Sequence, residues 1–239
     1  MIDSRLQLHW AAQTVAGVCR TLLPPQPDDS HSGMAWSRVH RALAGNEFDG
    51  ARAGLRFRDL TLLLIQDRGL IEDEFPLRGR SIDDAFGFFE QRFGRSIRRP
   101  NEEEALPAPP PASFDASESD LARLDRFYDD ADFVLHAYRS KRENVSDVRC
   151  WPHHFDIATL QKLDGDRTIG AGFLAGDAQH REPYWYVNTH PAPDDRQSFP
   201  PLPLGFWNTE GWFGAVLLGD HTREEVGRFL EMATEVLSS

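Results

Sequence analysis

Cysteine is almost missing from this chain of 239 residues. Its two examples, Cys19 and Cys150, stand far apart. They exclude a disulfide framework and a thiolate metal cluster, and each reads as a small buried hydrophobe. Lysine is equally scarce: Lys141 and Lys162 are the only two, and every other basic side chain is arginine. That bias reads as the mark of a GC-rich bacterial genome rather than as a set of anion clamps. No apolar run approaches the ~18 residues of a membrane helix. The opening Met1-Ile2-Asp3-Ser4-Arg5 lacks the basic-then-apolar plan of a signal peptide, so the expectation is a cytoplasmic protein without a membrane partner. Gly-x-Ser-x-Gly and His-Glu-x-x-His are missing, which removes the nucleophile elbow and the commonest zinc helix. Gly170 to Gly176 resembles a phosphate loop only in its glycines. No helix follows and no Lys-Ser/Thr closes it, so those glycines read as sites of close packing or a bulge.

What is present is an ordinary folding composition, 40% hydrophobic, with a net charge of −12. The charge is uneven. Residues 1–100 carry 14 arginines against 13 acids, a balance of +1, whereas residues 101–239 carry 12 bases against 25 acids, a balance of −13. An acidic half repels phosphate backbones, so nucleic acid is not expected as a partner. Composition leaves the oligomeric state open.

Helical spacing of Leu8, Ala11, Ala12, Val15, Val18, Cys19 and Leu22 predicts a helix over 5–23, stopped by Pro24-Pro25. Strands are expected within 33–39, 54–58 and 60–65. Ser81-Ile82-Asp83-Asp84 reads as a capping box opening a helix to Phe93. Residues 97–117, with Glu102 to Glu104 and Pro107 to Pro111, read as a mobile linker. A helix is predicted from Glu118 to Arg142. β-rich sequence follows over Cys150–Leu163, 168–175, 183–189 and 206–218, with Asp164-Gly165-Asp166 as a hairpin turn. A last helix is predicted from Thr222 to Leu237 behind the capping box Thr222–Glu225.

The order suggests an α+β fold, mostly antiparallel, with helices packed on one side. It also suggests a pseudo-duplication: a half at 1–96, the linker at 97–117 and a half at 118–239, each reading helix, strands, helix. Leu77–Ser81 leading to Phe88-Phe89 parallels Leu218–Thr222 leading to Phe229-Leu230. On this reading the halves share one sheet system and form one domain, with the natural ligand site between them.

Chemistry concentrates in Trp151-Pro152-His153-His154-Phe155-Asp156-Ile157-Ala158-Thr159-Leu160. Polar groups among bulky apolar ones need partners if buried. Read as one strand, this stretch puts His154 and Asp156 on one face. His154 would then be a general base or metal ligand, with Asp156 orienting it. Imidazole plus carboxylate suits zinc or non-haem iron, and His154, Asp156 and His190 are the candidate ligands. The carboxylate can equally fix the imidazole tautomer with no metal present, and that simpler reading is favoured. His153, Tyr184, Tyr186, Asn208 and Glu210 are candidates to line a ligand pocket. The rings of Trp151, Tyr184, Trp185, Tyr186, Trp207 and Trp212 serve either as its walls or as core. His9 and Gln13, one turn apart on the first helix, and Asp28 to His31 are placed to meet the C-terminal histidines.

Val148 to Leu160, with Glu182-Pro183-Tyr184 and Thr209 to Trp212, resembles a family of uncharacterised bacterial proteins sharing a Trp-Pro-His-His-Phe-Asp stretch. The resemblance covers mainly the C-terminal half and implies no reaction. Two function classes follow, with an oligomeric scaffold joined through the exposed aromatics as a third and weaker option. One is a small-molecule binding or processing protein with a His/Asp/Tyr-lined pocket, metal-dependent or not. The other is a non-catalytic structural or interaction module that docks a partner through its acidic helix.

Overall fold

A computed structural model describes every residue except 1–2, 102–105, 107, 197–198 and 239. Among the described residues it is an α+β protein with four helices and two antiparallel sheets. The chain divides into two compact units: Met1–Asp129 with Cys150–Phe155, and Asp130–Arg149 with Asp156–Ser239. The strands form two sheets, in place of the single shared sheet system expected from the sequence. Among the described residues, no helix is long and apolar enough to cross a membrane.

The first unit opens with α1 (Ser4–Leu22), capped by the Asp3 carboxylate on Arg5 N–H. Its apolar stripe, Leu8, Ala11, Ala12, Val15, Val18 and Cys19, is fully buried and packs on the sheet at β3. The sheet is a meander of β1 (Ala35–Ser37), β2 (Ala42–Ala44), β3 (Ala51–Arg56), β4 (Thr61–Gln66) and β5 (Ile71–Pro76). Helix α2 (Ile82–Phe93) carries the predicted box: Ser81 Oγ accepts from Asp84 N–H while Asp84 accepts from Ser81 N–H. It then ends at left-handed Gly94. Gly17 lets α1 approach its neighbours closely, since a Cβ there would sit 3.2 Å from the Phe86 ring and 3.1 Å from Ile97.

Residues 97–117 lie within this unit. Glu102 to Glu104 and Pro107 fall outside the described residues. The remainder is anchored rather than mobile: Ile97 and Phe114 are buried, and Phe114 bonds through its backbone to Gly79 and Arg80 at 2.8 Å each. Trp10 Nε1 also donates to Ala108 O at 3.0 Å. Buried apolar side chains hold the described part of this stretch against the unit.

Helix α3 (Glu118–Ser140) contributes to both units. The second sheet runs β10-β11-β9-β8-β7-β6, from β6 (Arg149–Trp151), β7 (Asp156–Lys162), β8 (Thr168–Leu174), β9 (Tyr184–His190), β10 (Phe206–Asn208) and β11 (Gly214–Leu218). The Asp164-Gly165-Asp166 turn joins β7 to β8, with Gly165 at φ 67°. Helix α4 (Arg223–Ser238) packs on β8, β9 and β11, and its Thr234 Oγ1 meets Tyr138 Oη of α3 at 2.9 Å. Alternation along the strands places Ile169, Ala171, Phe173, Trp185, Val187, Ala215 and Leu217 on one face, all buried. The opposite face is only partly covered, with Leu160, Phe206 and Leu218 exposed.

Candidate functional site

The Trp-Pro-His-His-Phe stretch is a turn, not part of a strand. β6 ends at Trp151 and β7 begins at Asp156. Pro152 has no N–H to give to a ladder. The loop closes where Phe155 N–H donates to Trp151 O at 2.7 Å, and Phe155 sits at φ 59°, a conformation bulky side chains rarely take. Its ring is bound tightly enough to offset that cost. It is buried, stacks on His9 with centroids 4.9 Å apart and lies 5.3 Å from the Tyr128 ring. Tyr128 Oη donates to Phe155 O at 2.6 Å.

His9 and Gln13 do not meet His153 or His154. They converge on the carbonyl of Pro152, His9 Nε2 at 2.7 Å and Gln13 Nε2 in a short bond. Burial drives the His9 pKa down to about 4, and the charges of Arg5, His154 and His153 push the same way, so the ring is neutral near pH 7. His31 is likewise local: its Nδ1 accepts from Gln26 N–H at 3.2 Å and lies 3.6 Å from Asp29.

The predicted one-face pairing of His154 with Asp156 is therefore corrected. The strand period starts only at Asp156. His153 and His154 are exposed on the turn, ring centroids 4.3 Å apart, while Asp156 is buried in the first residue of β7. The candidate metal set also fails to converge. Asp156 pairs with Leu174 and Leu174 with Tyr184, at one end of the sheet, whereas His190 pairs with Thr168 at the other. Six residues of strand separate those ends on β9, roughly 20 Å. Among the described residues, no group of three or more His, Cys, Asp or Glu side chains could hold a metal ion.

The structure does gather Asp156, Tyr184, Tyr186 and Asn208 on one face of the second unit's sheet. Tyr186 Oη donates to Asp156 Oδ2 at 2.5 Å, although the strand between them, β8, separates β9 from β7. The reach is made by Gly172. A Cβ there would lie 2.5 Å from Tyr186 Oη, 2.6 Å from Cζ and 2.8 Å from the Ala158 Cβ, so the phenol occupies the space a side chain would fill. Gly170 leaves room in the same way for the Asn188 amide. Burial and the adjacent Asp156 carboxylate raise the Tyr186 pKa well above the usual phenol value, which keeps its proton in place as a donor.

A polar network frames this pair. Tyr184 Oη donates to Asp177 Oδ2 at 2.8 Å, and the other oxygen of Asp177 caps Gln179 and His180 N–H. Asn208 donates to the carbonyls of Glu210 (3.0 Å) and Trp212 (2.6 Å) and accepts from Gln179 at 2.8 Å. Gln179 in turn accepts from Trp212 Nε1 at 3.2 Å. The Trp212 ring stands nearly perpendicular to Tyr186, centroids 6.1 Å apart. Glu210 contributes its carbonyl, and its side chain is exposed. Asp177 and Gln179 belong to a loop of no recognisable pattern, so the sequence does not mark them. The glycines two apart on β8 were the legible signal, since they mark where neighbouring side chains lie over bare backbone.

No family model, curated protein or solved structure matches this chain.

Proposed function

We propose that this protein binds a small molecule on the Asp156–Tyr186 face of its second sheet. The reading rests on one observation: two glycines on β8 clear a strip across which Tyr186 reaches a buried carboxylate, beside half-buried Trp212. A buried acid hydrogen-bonded to a phenol is costly to maintain for stability alone. The acid holds the phenol in place, while Tyr186 and Trp212 offer ring faces and Asn188 an amide for a hydroxyl or amine. Tyr186, held protonated, orients and donates rather than acting as a base. His153 and His154, exposed on their turn, are not assigned to this site, and no metal is invoked. The cytoplasm is the proposed location, with neither nucleic acid nor membrane as partner.

The interaction-module reading has less support. The acids of α3 on which it relied are engaged within the chain: Asp125 and Asp129 by Arg41, Asp130 by Arg223 and Asp132 by His136 at 3.3 Å.

The test is a thermal-shift screen of hydroxylated and amine metabolites against the wild-type chain, repeated with Asp156→Asn and Tyr186→Phe. A compound that stabilises the wild type and loses its effect in both variants, whose circular dichroism stays native, supports the site. Stabilising compounds that ignore both substitutions would place binding elsewhere and overturn the proposal, as would a screen without any hit.

A further inference from the structure

A separate cleft of about 800 Å³ opens within the first unit. It is lined by bases from three connections, His40 and Arg41 after β1, Arg58 after β3 and Arg78 after β5, together with Arg56 at the end of β3. Three of the arginines are committed. Arg41 holds Asp125 and Asp129 (Nη1 at 2.8 Å from the latter), Arg56 holds Asp59 and Glu74 at 2.8 Å each, and Arg78 holds Asp115 at 3.2 Å and lies 3.8 Å from Glu118. Their pairing fixes these side chains and cancels their charge. Arg58 differs. Among the described residues its guanidinium has neither a hydrogen bond nor an ion pair, and the same holds for the His40 ring. Two apolar side chains share the cleft: Val39, 86% exposed, and Ile71, 37% exposed.

This balance selects a ligand. Three carboxylates, Asp59, Glu118 and Asp125, line the cleft beside its four arginines, a balance of +1 that one negative charge neutralises and that a dianion such as phosphate overshoots. One uncommitted guanidinium matches one carboxylate in its fork geometry, and exposed Val39 and Ile71 gain by covering an alkyl chain. We infer that this cleft binds small monocarboxylates with an apolar tail, the carboxylate on Arg58 and the tail against Val39 and Ile71.

Hexanoate is the probe, titrated into the whole protein while amide shifts are followed by NMR. Binding of so small a ligand is expected in the millimolar range, with shifts mapping to residues 38–41, 57–60 and 71. Arg58→Gln, a substitution at an exposed turn position that leaves the fold intact, should weaken hexanoate about tenfold or more. Acetate should bind the wild type far more weakly than hexanoate, and inorganic phosphate should not compete. Absence of saturable shifts, equal affinity in Arg58→Gln, or displacement of hexanoate by phosphate would each overturn the assignment. The site lies in a different unit from the Asp156–Tyr186 face, so either proposal can fail without the other.

Discussion

Acidification should loosen the clasp between α1 and the 151–155 turn, and the size of the effect follows from His9. Its pKa falls from 6.5 in the unfolded chain to about 4 in the fold, mainly through burial. The folded state therefore binds fewer protons between those values. The contribution of neutral His9 is complete above about pH 6.5 and is lost as the pH drops toward 4. A gap of that size corresponds to about 3 kcal/mol over the whole window and about 2 kcal/mol by pH 5. In a chain of this length that is a fall in Tm of about 4–8 °C at pH 5. His9→Gln isolates the term. Glutamine keeps an amide donor for Pro152 O but cannot titrate. It loses the stack on Phe155, so at pH 7 it should be less stable by about 1 kcal/mol. Urea or thermal unfolding followed by circular dichroism from pH 7.5 to 4.5 would show the wild-type curve falling steeply and meeting that of the variant. Parallel curves would refute the reasoning, because they would mean that His9 is charged, or already neutral at no cost, in the fold.

Other outcomes follow from the same contacts. Gly172→Ala should cost roughly 1–3 kcal/mol by overpacking and should detach Tyr186 from Asp156, read as a lower urea midpoint with a tyrosine titration moved back toward the ordinary phenol range. Tyr128→Phe leaves the carbonyl of Phe155 without its donor and should lose about 1–2 kcal/mol, measurable by the same unfolding. His153→Ala and His154→Ala, by contrast, remove exposed rings and should each change stability by less than about 0.5 kcal/mol. A large loss in either would mean that the turn depends on them.

The helices were legible because their signals are local. The stripe of α1, the boxes at Ser81–Asp84 and Thr222–Glu225 and the long period of α3 each lie within a few residues, and the structure returns them almost at the expected bounds. At the last box, Thr222 Oγ1 accepts from Glu225 N–H at 3.2 Å and the carboxylate answers at 2.9 Å. Strands fared less evenly. β5 went unforeseen, since Glu72, Asp73 and Glu74 lack strand propensity; they suit an edge strand, where charge protects an open ladder. β2 is only Ala42–Ala44, without the β-branched or aromatic residues that mark a strand. Alternation reads the Trp151–Leu160 stretch as continuous because it cannot register Pro152 and a left-handed Phe155 together. Of the candidate site, Tyr184 and Tyr186 are legible from strand parity, while Asn208 is legible only as a residue of the last strand pair. The histidines are not, since their place depends on a helix more than a hundred residues earlier.

The paired glycines of β8 carry one more implication. A two-strand hairpin of β7 and β8 alone would leave Gly170 and Gly172 as naked peptide, with no flesh of its own to shield it. Only when β9 arrives, laying Tyr186 and Asn188 over that gap, does the hairpin acquire a finished surface. The middle of this sheet should thus assemble as a trio, its amides gaining protection together in pulse-labelled hydrogen exchange.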